Sequence, residues 1–160
     1  FAPLVRAIEA LPDTRAIVKP HPAEPPDAYA AALREAGARR VRLVDPRLDL
    51  MHLLHASDAL VTVESLSAVE ALVLGRPVLV LNMPTHLADL VAAGVALGVP
   101  AGADPGPALR DALAPGAVRE GLERAREAYL SELAMGVDGG ATARIVALLR
   151  DAASRRPVVA

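Results

Sequence analysis

The sequence contains no cysteine and no tryptophan, and it has only one phenylalanine and two tyrosines in 160 residues. The absence of cysteine excludes disulfide bonds, zinc sites built from thiolates and catalytic cysteine nucleophiles. A chain with a net charge of −2 and so few aromatic side chains is not typical of proteins that stack on nucleic-acid bases. We therefore expect no nucleic-acid partner.

Long apolar runs are also absent, although 53% of the residues are hydrophobic. No stretch approaches the roughly 18 consecutive apolar residues that a membrane span requires. The hydrophobic residues therefore predict a buried interior, and we expect no transmembrane segment. No basic amphipathic helix, which would bind a membrane surface, is visible either. We expect a cytoplasmic location, with attachment to the inner face of the membrane as the alternative.

Three common signatures of ligand sites are missing from the sequence. There is no G-x-G-x-x-G, no G-x-x-x-x-G-K-[ST] and no G-x-S-x-G, which argues against a dinucleotide site, a P-loop and a hydrolase nucleophile elbow. His52 and His55 are three residues apart in a helical pattern, but with Asp49 they fall on its polar face. No further ligand is visible, so we expect neither a metal site nor a cofactor.

Apolar and β-branched runs alternate with longer helical patterns along the whole chain. Strands are predicted at 15–19, 40–44, 59–63, 77–81 and 94–98. Helices are predicted at 3–10, 26–36, 48–56, 66–74, 84–92, 106–113, 117–133 and 140–153, and Gly37, Gly75 and Gly94 lie where helices should end. This alternation predicts an α/β fold with a doubly wound parallel sheet, Rossmann-like and three-layered (α/β/α), in a single domain over residues 1–160. The chain opens at Phe1 inside a helical pattern, so we expect a fragment of a longer protein.

The first candidate segment is "VKPHPAEPP", residues 18–26, where a predicted strand ends at Lys19. In a doubly wound sheet, ligands bind beyond the carboxyl ends of the strands. Pro20 and Pro22 flank His21 and restrict the backbone on both sides of its imidazole. His21 can donate a hydrogen bond to a phosphate or act on a leaving group. It can equally be a surface histidine in a proline-rich turn, and spacing alone leaves both interpretations open.

The second segment follows the third predicted strand, where Glu64, Ser65, Leu66 and Ser67 lead into a helix. Free N–H groups and the positive dipole end at a helix start suit an anion, and the serines can add hydroxyl donors. Glu70 lies one turn further, where its carboxylate can bind both hydroxyls of a ribose. Alternatively, Ser67-x-x-Glu70 fits a capping box, in which that carboxylate returns to a backbone N–H group.

The third segment is "GVDGGATARIVALL", residues 136–149. A turn at Asp138-Gly139-Gly140 precedes a helix whose first turns carry Thr142 and Arg144. Arg144 can reach a phosphate, although a solvated arginine is the more common outcome. The helical spacing predicts that the side chains further along this helix point inward, namely Ile145, Leu148 and Leu149.

Taken in order, these segments resemble the carboxyl-terminal domain of GT-B glycosyltransferases and UDP-N-acetylglucosamine 2-epimerases. They are also similar to the related capsule-polysaccharide and teichoic-acid (CDP-glycerol) transferases. "VKPHP" is similar to the K-x-H-P after that domain's first strand, and "DGGATARI" to a D-G-x-A-x-x-R-I near the end of several capsule and teichoic-acid enzymes. The central match is "LLHASDALVTVESLSAVEALVLGRPVLVL". The resemblance covers most of the chain.

The resemblance implies the nucleotide-sugar-binding half of a two-domain enzyme, with a nucleotide-diphosphate sugar as the substrate. Ser65, Ser67 and the adjacent N–H groups would hold the diphosphate, and Glu70 would bind the ribose. His21 would be the catalytic residue at the departing phosphate. The positions implied to contact the nucleotide sugar are Lys19, His21, Glu64, Ser65, Leu66, Ser67, Glu70, Thr142 and Arg144. The acceptor site would lie in a missing amino-terminal domain, so this piece alone is expected to be inactive.

Two departures from the epimerases bear on which activity the resemblance implies. The epimerases carry a glycine pair where this chain has Leu66 and Ser67, and paired glutamates where Glu70 is followed by Ala71. These differences favour a transferase of the capsule-polysaccharide type. The alternatives are a UDP-N-acetylglucosamine 2-epimerase domain and a non-catalytic Rossmann-like domain, in which the serines and Glu70 act only as caps.

Overall fold

The computed structural model describes residues 1–133 and 138–154, in which strands and helices alternate. The strands are β1 (Ala16–Val18), β2 (Val41–Leu43), β3 (Leu60–Thr62), β4 (Val78–Met83) and β5 (Leu97–Pro100). The helices are α1 (Ala2–Ala10), α2 (Pro26–Glu35), α3 (Leu50–His55), α4 (Ser67–Val73), α5 (Ala88–Ala92), α6 (Gly106–Leu113), α7 (Ala117–Glu132) and α8 (Ala141–Ser154).

All the strand pairs in the described residues are parallel. The hydrogen-bonded ladders form two pieces, β1–β2 and β3–β4–β5, with β4 in the middle of the second piece. Parallel neighbours joined through helices are the pattern that the alternating sequence predicts. The predicted α/β class is therefore confirmed.

Helices cover both faces of the central strand β4. Val78 and Val80 pack in one buried cluster with residues of α4 and α5, whereas Leu79 packs in a second cluster with residues of α1 and α6. All three side chains are fully buried, at 0% exposure. Successive residues of a strand point to opposite faces, so an all-apolar strand requires cover on both sides. The predicted three layers are present around β4.

The β1–β2 ladder is covered on one face. Ile17 and Arg42 are partners in the ladder, and both side chains are exposed. Val18 and Val41, which point to the other face, belong to the second cluster or pack against it. The sequence "RVRLV" of β2 alternates charged with apolar residues over its first four positions, a pattern typical of half-exposed strands, whereas "RAIVK" of β1 does not alternate. Thus, within the described residues, the third layer does not extend over this ladder.

Three glycines end helices where the sequence predicts. Gly37, Gly75 and Gly94 have φ angles of 68°, 69° and 71°, a left-handed conformation that side-chain-bearing residues avoid. At Gly94, its N–H group donates to the Val91 carbonyl, and the following N–H group donates to the Leu90 carbonyl. This pair of bonds is a Schellman motif, which satisfies carbonyl groups at the end of a helix.

Two element boundaries differ from the prediction by more than two residues. Helix α5 begins at Ala88 instead of residue 84, because Thr85 Oγ1 accepts the Leu87 N–H group and forms a separate turn first. Strand β5 begins at Leu97 instead of residue 94, because the Gly94 cap and the residue after it complete the end of α5.

The predicted orientation of α8 is wrong. Ile145, Leu148 and Leu149 are 56%, 68% and 64% exposed, and no residue of α8 is buried. Helical periodicity predicts that these side chains share one face. It does not predict that another element covers this face, and none of the described elements does.

Candidate functional site

Lys19 connects the carboxyl ends of β1 and β2. Its Nζ donates a hydrogen bond of 2.8 Å to the carbonyl of Pro46, in the loop that follows β2. In the same loop, hydrogen bonds from the Arg47 side chain and N–H group lower the pKa of Asp45 to about 2. The structure therefore gives Lys19 a partner within the protein, and its contact with a nucleotide remains a prediction.

His21 lies in a turn directly after β1, and its side chain is exposed. The Ala23 N–H group donates to His21 Nδ1 at 3.2 Å, and the Glu24 N–H group donates to the His21 carbonyl at 2.9 Å. A nitrogen that accepts a hydrogen bond cannot carry the proton, so the neutral imidazole is protonated on Nε2. His21 thus has a donor atom that no group of the described chain uses.

Glu24 and Tyr29, which the sequence analysis missed, hold this turn. Glu24 Oε2 accepts hydrogen bonds from the Tyr29 hydroxyl at 2.7 Å and from the His21 N–H group at 3.2 Å. The Tyr29 hydroxyl, followed by the His21 N–H group, lowers the pKa of Glu24. The same bond raises the pKa of Tyr29. The signal in the sequence that could have identified Glu24 is a carboxylate three residues after a histidine in a predicted loop.

Hydrogen bonds join three hydroxyl-bearing residues at the end of β3 and directly after it. Thr62 Oγ1 accepts the Ser65 N–H group at 3.2 Å. Ser65 Oγ in turn accepts the Ser67 N–H group at 3.2 Å and lies 2.7 Å from Ser67 Oγ. Ser67 is 8% exposed, whereas Ser65 is exposed. The sequence patterns did not select Thr62, although it lies only three residues before Ser65.

The first turn of α4 is less open than expected. The helix begins at Ser67 with Leu66 as its N-cap residue, so the cap is not a serine. The N–H groups of Ala68 and Val69 donate to the carbonyls of Ser65 and Leu66 at 3.1 and 2.9 Å. The prediction of free N–H groups is therefore wrong for these two and for Ser67. The Glu64 and Leu66 side chains are both exposed.

Glu70 is exposed, and its carboxylate makes no hydrogen bond or ion pair with any residue that the structure describes. In the capping-box alternative, this carboxylate accepts a backbone N–H group at the start of the helix. That bond is not formed here, and the capping-box interpretation of Glu70 is wrong. An uncompensated carboxylate therefore stands in the first turn of α4, next to the linked hydroxyl groups.

In the described residues, Thr142 and Arg144 make no hydrogen bond or ion pair with the other candidates. Arg144 Nη1 donates to Asp138 Oδ2 at 2.7 Å, and the Gly140 N–H group donates to Asp138 Oδ1 at 2.8 Å. These bonds, the first one most strongly, lower the pKa of Asp138. Within residues 1–133 and 138–154, no hydrogen bond or ion pair joins Thr142 or Arg144 to the segments after β1 and β3.

The strands that precede the two segments, β1 and β3, pack on the same core. Val18 of β1 and Val61 of β3 both pack against the second buried cluster, which includes Leu79 of β4. In the residues that the structure covers, no three His, Cys, Asp or Glu side chains are placed to hold a metal ion, and His52 and His55 are exposed. None of the described helices is both long and apolar enough to cross a membrane.

Comparison with known proteins addresses the family and the fold. Residues 3–88, more than half of the chain, match the family model "Capsule polysaccharide biosynthesis protein". No curated protein matches the sequence significantly. The structure is similar to "Crystal structure of UDP-N-acetylglucosamine 2-epimerase" with a TM-score of 0.60 and 22% sequence identity. That match covers 82% of this chain and 38% of that one, and at this identity it shows the fold alone. The resemblance to capsule-polysaccharide and epimerase-like proteins is thus confirmed, and the chain belongs to the capsule polysaccharide biosynthesis protein family.

Proposed function

We propose that this chain is the donor-binding domain of a glycosyltransferase that uses a nucleotide-diphosphate sugar in capsule polysaccharide biosynthesis. The domain binds the nucleotide, and a second domain supplies the acceptor site. Alone, the chain binds a nucleotide diphosphate weakly and transfers no sugar. Membership of the capsule polysaccharide biosynthesis family supports this proposal. The similarity to a fold found in an enzyme named for a UDP-sugar also supports it.

The state of Glu70 is the observation that carries the proposal. An exposed carboxylate without a partner in the described chain is free to accept hydrogen bonds from two neighbouring hydroxyl groups, as a ribose presents. The alternative role, a capping box, is not formed. Glu70 also follows directly on the hydroxyl groups after β3, at the carboxyl end of a parallel strand, where ligands bind in folds of this kind.

The hydroxyl groups and His21 are assigned to the diphosphate. Because the buried Ser67 hydroxyl has Ser65 Oγ as its acceptor, the proton of the exposed Ser65 hydroxyl stays available to a ligand. The N–H group of Leu66 is a second donor. From the turn after β1, Nε2–H of His21 stabilises the charge that develops on the departing diphosphate. Arg144 could bind a phosphate only if its hydrogen bond to Asp138 broke. Among the residues assigned to the nucleotide sugar, its assignment is therefore the weakest.

Titration with nucleotides tests the proposal. We expect UDP, CDP or GDP to shift the amide resonances of residues 62–70 in the 1H–15N spectrum of this chain, with adenosine as the control that lacks a diphosphate. Resonances that stay in place with all three nucleotides would refute the proposal.

The enzymatic alternative, a 2-epimerase, is supported by the fold similarity only. It predicts that the full-length protein converts UDP-N-acetylglucosamine in the absence of any acceptor. A transferase gives no such product under these conditions. The same assay, run with and without an acceptor mixture, therefore separates the two activities.

A further inference from the structure

The turn at residues 21–24 is more tightly organised than an exposed loop requires. It contains three hydrogen bonds between close neighbours, from Ala23 N–H to His21 Nδ1, from Glu24 N–H to the His21 carbonyl, and from His21 N–H to Glu24 Oε2. One of them uses the imidazole itself, so the turn fixes the orientation of the ring as well as the backbone.

Tyr29 ties this turn to α2. Its hydroxyl donates to Glu24 Oε2 at 2.7 Å, the shortest bond of the network. The ring of Tyr29 in turn meets the ring of Phe1 edge-on, with centroids 6.1 Å apart and an angle of 80° between the planes. Edge-to-face pairs of this kind are favourable, so the phenol has a defined position from which it can hold the carboxylate.

We propose that Glu24 and Tyr29 are positioning residues for His21, which hold its imidazole with Nδ1 occupied and Nε2–H directed to the diphosphate of the donor. This inference rests on the proposed function, since it takes the nucleotide as the ligand of His21. Neither residue touches the ligand. Glu24 anchors the backbone of the turn through the His21 N–H group, and the Tyr29 hydroxyl keeps the Glu24 carboxylate in place.

The geometry accounts for the use of a glutamate and a tyrosine here. One carboxylate oxygen accepts both the backbone N–H group and the phenol O–H group, which a hydroxyl or a short side chain at position 24 would not reach together. The two donors hold Glu24 Oε2 against the turn, and because they lower the pKa of Glu24, this group stays an ionised carboxylate. The donor that the turn offers to a diphosphate is Nε2–H of His21.

The test compares Glu24→Ala and Tyr29→Phe with wild type in the 160-residue chain. The first readout is the 15N–15N coupling across the hydrogen bond between the Ala23 amide and His21 Nδ1, which reports that bond directly. We expect the coupling in wild type and its loss in Glu24→Ala. Glu24→Gln keeps an oxygen that accepts both donors, so it should restore the coupling.

The second readout is the affinity for UDP. We expect His21→Ala to weaken UDP about three- to tenfold, because it removes one hydrogen bond to the diphosphate. Glu24→Ala should weaken UDP by up to the same factor, because the imidazole is then no longer held toward the diphosphate. Tyr29→Phe should have a smaller effect in the same direction. Tyr129→Phe is the matched control, since the Tyr129 ring packs against the first buried cluster and its hydroxyl makes no hydrogen bond in the described chain.

The outcomes separate the two proposals. If His21→Ala weakens UDP and Glu24→Ala does not, or if Glu24→Ala keeps the coupling, then the positioning role is refuted while the nucleotide site stands. If wild type binds UDP and His21→Ala binds it equally well, His21 is not a ligand group and the inference fails. If wild type binds no nucleotide at all, the proposed function fails first and the positioning role falls with it.

Discussion

Replacement of Glu70 by alanine separates a ligand group from a helix cap. In the structure the carboxylate is exposed and has no hydrogen bond or ion pair in the described chain, so the folded protein loses little when it is removed. What remains is the attraction between a negative charge and the first turn of α4, which is worth about 0.3–0.5 kcal/mol for an exposed group in water. For a chain of this size, that loss corresponds to a fall in Tm of about 2 °C or less.

A capping box gives a different result. Loss of the cap costs about 1 kcal/mol, and as much as about 2 kcal/mol, which lowers Tm by roughly 2–8 °C. The affinity for UDP shows the opposite pattern to Tm, since it falls if Glu70 is a ligand group and does not change if Glu70 is a cap. A carboxylate that accepts hydrogen bonds from a ribose contributes about 1.5–3 kcal/mol, so Glu70→Ala should weaken UDP about 10- to 100-fold.

Calorimetric titration with UDP and thermal unfolding on the same samples measure both quantities. Glu127→Ala is the control, because Glu127 is an exposed glutamate of α7 that also lacks a partner in the described residues. It should change neither Tm nor affinity. A fall of several degrees in the Tm of Glu70→Ala, with unchanged UDP affinity, would refute the assignment and support a non-catalytic domain.

Three further predictions concern the fold. Leu79→Ala removes a fully buried side chain from the second cluster and should lower the free energy of unfolding by about 2–5 kcal/mol in a urea titration; a loss below about 1 kcal/mol would contradict the packing of β4 against α1 and α6. Gly98→Ala would place a methyl group 2.9 Å from Val91 Cγ1 and should cost about 1–3 kcal/mol. In α7, a methyl group at Gly121 would meet nothing within 4 Å, so Gly121→Ala should stabilise the protein by about 0.5–1 kcal/mol. Equal effects of Gly98→Ala and Gly121→Ala would contradict the contact of β5 with α5. The N–H groups of Arg40 and Arg39, just before β2, lower the pKa of Glu9, that of Arg40 most strongly. The stabilising effect of the Glu9 carboxylate is therefore complete above its ordinary pKa of 4.5, and it is lost as the pH falls through the lower pKa of the folded state. Glu9→Gln should therefore reduce Tm at pH 7, and the difference should close below pH 4.5; a difference that does not change with pH would contradict this.

The sequence contains enough information to predict the order and type of the elements. The all-apolar run "PVLVL" requires a strand that is covered on both faces, and β4 is such a strand. Gly75 and Gly94 mark helix ends because their conformation is costly for other residues. Both signals are local, and each depends on the backbone conformation or on the alternation of neighbouring side chains.

The parts that the sequence did not predict depend on contacts between distant segments. The apolar spacing of α8 does not specify a partner, and Ile145 is exposed. The open face of β1–β2 follows because none of the described helices covers it. In the sequence, the charged residue Arg42 between two apolar ones is the one sign of this open face. Similarly, no sequence pattern decides between the two interpretations of Glu70.

The candidate site shows the same division. Proline on both sides of His21 indicates a constrained loop, and the structure has one. The residues that hold this turn, Glu24 and Tyr29, act through side-chain hydrogen bonds, and these spacings are not specific in a sequence. Likewise, Ser65 and Ser67 are visible as hydroxyl groups, but only burial distinguishes the exposed one, which we propose as a ligand group, from the buried one.

A crystal structure of the chain with UDP tests the central claim most directly, namely that the segments after β1 and β3 bind one diphosphate. We expect phosphate oxygens within about 2.7–3.2 Å of both Ser65 Oγ and His21 Nε2, with the ribose hydroxyls on Glu70. UDP bound elsewhere, or a diphosphate that reaches Ser65 while the imidazole of His21 stays outside hydrogen-bonding distance, would contradict it.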